Sequence, residues 1–327
     1  MRQLQRLEHQ MRYLRVALDR RFSTGRMASA VVGCIFLSMM ACGGQSASAP
    51  RQSPVVDCRG SEATSFAPRP GPGVSYSDLL VDGRLRDYRL FQPSSIDTAK
   101  PVQVVVVLPP PSADAATLES LIHFDSEASG AGFLSASPNG CGLSWAYSPG
   151  TANAADEDFI RKMIDQLRSR FRVGNIYATS GSGGSRMLYR LACDLANQLT
   201  ATADVDGTMI LKDACKPARP ISILEMHGTA DDTSPWAGGG PNGSYPVDAV
   251  NERWRTLDGC VGDPAVATMG ITISSVWTCH GGATVRLDKV VGGKHTWFGS
   301  GDSDAVSGEP NANSVIWSFF GASHPTT

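Results

Sequence analysis

The chain has 327 residues, with 29 Lys and Arg against 31 Asp and Glu, and 42% of its residues are hydrophobic. A formal net charge of −2 argues against nucleic acid as a partner, since that affinity comes mainly from Lys and Arg neutralising phosphate. The length suits one α/β domain with a full-sized core.

Residues 1–42 read as an export signal, not as part of that domain. Arg2, Arg6, Arg12, Arg15, Arg20, Arg21 and Arg26 make a basic start, and Met27 to Ala41 is an apolar run too short to span a bilayer comfortably. Met39-Met40-Ala41-Cys42 resembles a bacterial lipoprotein signal, in which a small residue precedes the cysteine that is lipidated. Leucine is usual where Met39 stands, Met11 is an alternative start, and ordinary cleavage to a soluble secreted protein is the competing reading. Gly43 to Asp57 is rich in Ser, Ala, Pro and Gln, the composition of a flexible tether. Removing residues 1–42 takes away seven Arg, Glu8 and Asp19, which leaves 285 residues with 22 basic and 29 acidic groups and a net charge of −7. Six cysteines remain, and in an exported protein they imply three disulfides among fifteen possible pairings. The expected set is Cys58–Cys141, which would pin the start of the domain, with Cys193–Cys215 and Cys260–Cys279 closing short loops. No C-x-x-C or H-x-x-x-H spacing occurs, so no metal site is expected.

In chain order, Leu79 to Val81, Asp82-Gly83 and Arg84 to Gln92 read as a hairpin about a D-G turn. Val102 to Leu108 is a continuous apolar run, typical of a strand buried on both faces of a parallel sheet. Ala115 to Ser129 reads as helix and Phe133 to Ser137 as strand. Asp156 to Arg172 is an amphipathic helix with Phe159, Ile160, Met163, Ile164 and Leu167 on one face. Ile176 to Thr179 is a strand, and the segment after it can form a helix. Pro220 to Met226 is another buried strand. Val247 to Leu257 reads as helix, Ile271 to Thr278 and Thr284 to Val291 as strands, and Asn311 to Phe320 as a closing helix. This alternation predicts a single doubly wound, mostly parallel sheet over residues 58–327.

The most telling stretch is Ser180-Gly181-Ser182-Gly183-Gly184 between a strand and a helix. It approximates the G-x-S-x-G elbow on which an α/β-hydrolase exposes its nucleophile, with Ser180 in place of the first glycine. A tight loop is the plain alternative. A phosphate loop is a weak fit, because a P-loop lysine is missing and Arg186 stands where G-x-G-x-x-G needs its third glycine.

A serine hydroxyl needs a base, and the base an orienting acid. Both follow in the order that α/β-hydrolases use. Asp231 and Asp232 come after the strand ending near Met226, and His295 lies in a Gly-rich loop after the strand ending near Val291. His227 reads as structural at a strand end. His123 lies in a predicted helix, His280 follows Cys279, and His324 is near the terminus. Composition alone leaves Asp231 and Asp232 equal.

At this point the chain resembles carbohydrate esterase family 1, the group with feruloyl esterases and secreted polyhydroxybutyrate depolymerase-like esterases. The resemblance rests on Asp82 to Leu90, on Ser144-Trp145-Ala146 followed by Asp156 to Ile160, and on Tyr177-Ala178-Thr179 with Tyr189 to Cys193. Its most specific parts are His227-Gly228-Thr229-Ala230-Asp231, Gly259-Cys260 with Cys279, and Gly292-Gly293-Lys294-His295-Thr296-Trp297. It implies the α/β-hydrolase fold, with Ser182 as nucleophile, Asp231 as orienting acid in preference to Asp232, and His295 as base. It also supports Cys260–Cys279.

One departure stands out. The family carries His-Gly or His-Trp after the strand aligned with Val102 to Leu108, and amides just past it help to form the oxyanion hole. Here Pro109-Pro110-Pro111 have no N–H. Gly183 should supply one donor, and Ser112 or a side chain must supply the second. Trp145, Trp236 and Trp297 lie in loops near the site, where aromatics can stack on a feruloyl ring or sugar, with packing as the competing role. The loop Gly238 to Gly243 is expected to border the pocket. The overall expectation is an exported, lipid-anchored, monomeric serine esterase without a cofactor, acting on feruloyl, acetyl or short hydroxyalkanoate esters. The rival is a catalytically impaired hydrolase-fold lipoprotein that binds a glycan or protein partner at the cell surface.

Overall fold

The β-branched run Val102–Leu108 sets the architecture. In a strand, alternate side chains point to opposite faces, and both faces of this one are apolar. In the computed structural model, which describes residues 54–59, 71–147, 154–241 and 243–323, this run is β4. Val104, Val106 and Leu108 enter one core cluster, while Val105 and Val107 enter the other. Burying each such side chain contributes roughly 1.5–3 kcal/mol, so the strand can sit only between two layers of helices.

The sheet contains β1 (Val56–Asp57), β2 (Val74–Val81), β3 (Arg84–Phe91), β4, β5 (Leu134–Pro138), β6 (Val173–Gly181), β7 (Ala201–Val205), β8 (Ser222–Gly228), β9 (Val261–Met269), β10 (Thr272–Thr278) and β11 (Thr284–Val290). Its order is β1-β3-β5-β4-β6-β7-β8-β11-β10-β9, with β2 paired to β3. The six strands from β5 to β11 in that order are parallel, and antiparallel hairpins finish both ends. One face is covered by α3 (Ala154–Arg170), α4 (Ser185–Asp194) and α5 (Val247–Leu257), through residues such as Phe159, Met163, Leu188 and Trp254. The other is covered by α1 (Ala115–Ile122), α2 (Phe124–Ala131) and α6 (Ala312–Ala322), through Leu118, Phe124, Ile316 and Phe320. The doubly wound arrangement is as expected, and the described residues form one compact unit. Among the described residues, no helix is long and apolar enough to cross a membrane.

Four details differ from the sequence reading. The helix expected over Ala115 to Ser129 is two helices, because His123 adopts a left-handed backbone with φ +52° and closes the first of them. The tether was expected to run to Asp57, but Val56–Asp57 pair in parallel with Arg84 and Leu85. Strand β7 was missed because Ala201-Thr202-Ala203-Asp204-Val205 is short and interrupted by polar residues. Strand β9 was missed because Asp263 and Pro264 break its pattern, which is tolerated because β9 lies at the sheet's edge.

The three disulfides are Cys58–Cys141, Cys193–Cys215 and Cys260–Cys279. The first spans 83 residues and fixes β1 to the loop carrying Trp145. A buried ion pair acts on the same loop. Arg86 lies 2.6 Å from Asp156, whose second oxygen accepts the Ala146 N–H at 2.7 Å. The residues 1–42 signal, Cys42, most of the tether and His324 lie outside the described residues.

Candidate active site

Strand β6 ends at Gly181, and the chain turns through a single 3-10 turn, Ser182–Gly184, into α4. Ser182 stands at the apex with φ +54°, a left-handed conformation that costs a non-glycine residue on the order of 1–3 kcal/mol and marks strained functional turns. The glycines around it answer to space. A Cβ on Gly184 would lie 2.3 Å from the Ser180 hydroxyl and 2.9 Å from the Pro109 carbonyl. Ser180, where the usual elbow has glycine, is buried and donates its hydroxyl to the Leu108 carbonyl at 3.0 Å. It replaces missing glycine with a tie between β6 and β4. Ser185 is also buried and donates to Asp204.

Two neighbouring parallel strands deliver the other groups. Asp231 follows β8, and His295 follows β11. Their loops touch: a Cβ on Gly228 would lie 2.3 Å from the Gly293 carbonyl, which accepts the Ala230 N–H at 2.8 Å. His295 Nε2 lies 2.8 Å from Ser182 Oγ, and His295 Nδ1 lies 2.7 Å from Asp231 Oδ2. Asp231 Oδ1 accepts the N–H groups of Thr233 and Ser234 at 2.8 and 2.7 Å. An ionised carboxylate only accepts, so Nδ1 carries the imidazole hydrogen and Nε2 presents a lone pair to the serine hydroxyl. Asp232 is exposed.

Beneath this chain lies a group of buried polar side chains, of which the sequence reading names His227 as structural and does not name Asp204, Asp206 or Glu225. His227 donates from Nε2 to the Ser234 carbonyl at 2.7 Å, with Asp231 Oδ2 at 3.5 Å and Asp206 Oδ1 at 3.9 Å. Burial holds its imidazole below the ordinary range, which favours the neutral form. Asp206 accepts the Gly228 and Thr296 N–H groups at 2.8 and 3.1 Å. Burial pushes its carboxyl well above the ordinary range. Burial also raises Asp204 to about 7, and raises Glu225 strongly. Asp206, His227 and Asp231 bring their ligand atoms within 4.8 Å of one another, but hydrogen bonds already engage them.

No family model matches the chain. It is 30% identical over 176 residues to feruloyl esterase B of Piromyces equi, covering 50% of this chain and 33% of that protein. It is 28% identical over 153 residues to a bifunctional acetylxylan esterase/xylanase of Neocallimastix patriciarum, covering 46% of this chain and 22% of that protein. The chain thus spans a third or less of these two relatives. An acetyl xylan esterase structure from Aspergillus awamori superposes with a TM-score of 0.56 at 12% identity, over 76% of this chain and all of that one. The chain has the α/β-hydrolase fold. In that fold the elbow, the acid loop and the histidine loop all open at the carboxyl edge of the sheet, where Ser182, Asp231 and His295 lie.

The proline loop beside the elbow departs from expectation. Ser112 is no second donor through its backbone, because its N–H is spent on the Leu143 carbonyl at 2.8 Å. The Pro109 carbonyl accepts Trp145 Nε1 at 2.7 Å, which locks the triple-proline loop to the loop beside it. Pro111 packs directly over the elbow. Its Cδ lies 2.8 Å from where a Cβ on Gly183 would stand. Cδ is the carbon that takes the place of an amide hydrogen, so residue 111 presents a methylene to the elbow where another residue would carry an N–H.

Two cavities meet at Ser182. The larger, about 330 Å³, is lined by Leu118, Ile122, Val205, His295 and Trp297 among others. The smaller, about 170 Å³, is lined by Pro111, Trp145, Gly183, Arg186, Thr208 and Ser234 among others. Of the three tryptophans, Trp297 borders the larger cavity and donates Nε1 to Asn313. Trp145 borders the smaller, but it is buried and bonded to Pro109. Trp236 borders neither. It packs edge-on against His227 and under Lys289, with Nε1 on Asp248. The described part of the Gly238 to Gly243 loop also lines neither cavity. His123, expected mid-helix, borders the larger one.

Proposed function

We propose that the chain is an exported serine esterase that hydrolyses carboxylic esters through an acyl-enzyme on Ser182. The observation that carries this reading is the unbroken chain of hydrogen bonds from Ser182 through His295 to Asp231. Ser182 Oγ attacks the ester carbonyl carbon while its proton passes to His295 Nε2. Asp231 holds the tautomer and stabilises the imidazolium. The Gly183 N–H steadies the oxyanion. Collapse breaks the bond to the alcohol, which takes the proton from Nε2, and water then releases the acid by the same steps. The names of the relatives point to feruloyl and acetyl esters of plant polysaccharide, and the family resemblance adds short hydroxyalkanoate esters. The apolar wall of the larger cavity suits an aromatic acyl group. The reaction needs no cofactor, and the enzyme acts as a monomer on a small or polymeric ester.

The test is labelling by a fluorophosphonate, with the site mapped by mass spectrometry, alongside hydrolysis of p-nitrophenyl acetate and methyl ferulate. Modification at Ser182 with turnover is expected. Neither labelling nor turnover above buffer would sink the reading.

One observation favours the rival, a hydrolase-fold protein that binds a glycan or protein without turning over ester. The proline loop offers the oxyanion no backbone donor, and losing one donor costs on the order of 100- to 1000-fold in turnover. Pro111→Ala places an N–H where Cδ now stands, so kcat on p-nitrophenyl acetate is expected to rise by about tenfold or more. Steady-state kinetics of the variant check this, and an unchanged or lower kcat would show that Pro111 does not set the rate.

Export and anchoring complete the proposal, with residues 1–42 as a lipoprotein signal, Cys42 as the lipidated residue and residues 58–327 as the esterase domain. The three disulfides favour an oxidising compartment. A clickable palmitate analogue is expected to label the wild type but not Cys42→Ser in a bacterial host. Equal labelling would refute lipidation at that residue.

A further inference from the structure

We propose that Asp206 is a positioning residue of the esterase, a brace that holds the histidine loop and the acid loop in register. The inference rests on the serine-esterase reading and adds to it a group outside the Ser182–His295–Asp231 chain.

Asp206 follows β7, the strand between the one that carries the elbow and the one that leads to Asp231. It is buried, its backbone is left-handed with φ +52°, and its N–H donates to the Met226 carbonyl at 2.9 Å. Its two carboxyl oxygens divide their work. Oδ1 accepts the N–H of Gly228, the last residue of β8, and Oδ2 accepts the N–H of Thr296, the residue after the base. One side chain therefore fixes the start of the Asp231 loop and the backbone beside His295. It also borders the larger cavity with Ser182 and His295. The requirement is geometric: His295 must keep Nε2 on Ser182 and Nδ1 on Asp231 at once, and a misplacement of about 1 Å can cost on the order of 100-fold.

The sharpest probe is Asp206→Asn, which keeps the size and one acceptor. An amide offers one oxygen, so it can satisfy either Gly228 or Thr296 and turns an NH2 towards the other N–H. Burial already holds the Asp206 carboxyl well above the ordinary range, so the exchange changes geometry more than charge.

Two readouts decide the matter. Fluorophosphonate titration counts competent sites, and kcat per site on p-nitrophenyl acetate is expected to fall about 10- to 100-fold with KM within about twofold. In proton NMR, the downfield His295 Nδ1–H resonance of the wild type is expected to move or broaden in Asp206→Asn. That signal reports the brace even in a protein that hydrolyses nothing, so failure of the esterase reading and failure of this inference are separable. Near-UV circular dichroism checks that the variant is folded, and Asp206→Glu, which restores two acceptors on a longer arm, is expected to recover part of kcat. A lowered melting temperature with kcat per site and the His295 resonance both unchanged would overturn the proposal.

Discussion

Ser182→Ala is expected to lower kcat on small p-nitrophenyl esters by about a million-fold, the scale seen when the nucleophile of a serine hydrolase is removed, and to abolish fluorophosphonate labelling. The magnitude follows from geometry. Ser182 is the one hydroxyl of the elbow that meets the His295 lone pair, at 2.8 Å. Its neighbours are committed elsewhere, Ser180 to the Leu108 carbonyl and Ser185 to Asp204, and both are buried. Ser180→Ala and Ser185→Ala are therefore expected to remain labelled at Ser182, with their cost appearing as stability. Alanine at 182 removes only Oγ, so binding of a product acid measured by calorimetry should survive. Ser182→Ala that retains more than about a hundredth of the wild-type rate would place the nucleophile elsewhere.

Much of the fold was legible because its chemistry sits at changes of pattern. Val102 to Leu108 is an apolar run that reads as a buried strand, and Asp231 and His295 lie in loops after Pro220 to Met226 and Thr284 to Val291, which also read as strands. The elbow was legible through its glycines, which the structure requires where Ser180 and the β4 carbonyls crowd Gly184. What stayed hidden depends on partners distant in the chain. Ala201 to Val205 reads poorly as a strand because Asp204 interrupts it, yet Asp204 is buried against Ser185, with burial raising its carboxyl to about 7. Val261 to Met269 carries a proline that only an edge position tolerates. His123 breaks a helix through a left-handed backbone that no local pattern announced.

The site divides along the same line. Residue type and order made Ser182 and His295 candidates, because an α/β-hydrolase carries its nucleophile, acid and base in that chain order, and the family resemblance chose Asp231 over Asp232. Hydrogen bonds join the three side chains. Residue type and order were not enough for Ser112, whose N–H is claimed by a carbonyl 31 residues on, or for Trp236, which packs on His227 instead of facing a cavity. Asp206 had one signal, an acid at the end of a strand before glycine, as in Val205-Asp206-Gly207. That signal was invisible while β7 itself was unassigned.

Asp231→Asn is expected to reduce kcat by about 10,000-fold, and the hydrogen bonds explain why so conservative an exchange is so damaging. Two backbone N–H groups, from Thr233 and Ser234, point at Oδ1. They will select the amide oxygen of asparagine for that position. The NH2 group is then turned towards His295 Nδ1, where it donates and forces the imidazole hydrogen onto Nε2. A protonated Nε2 cannot accept the Ser182 proton, so the base is lost while the loop keeps its fold. Asp232→Asn, on an exposed side chain, is the matched control and is expected to change kcat by less than about twofold. Kinetics of the pair, with circular dichroism to show that both are folded, check the assignment. Equal effects at 231 and 232 would mean that the short contact between His295 and Asp231 does not set the tautomer on which proton transfer from Ser182 depends.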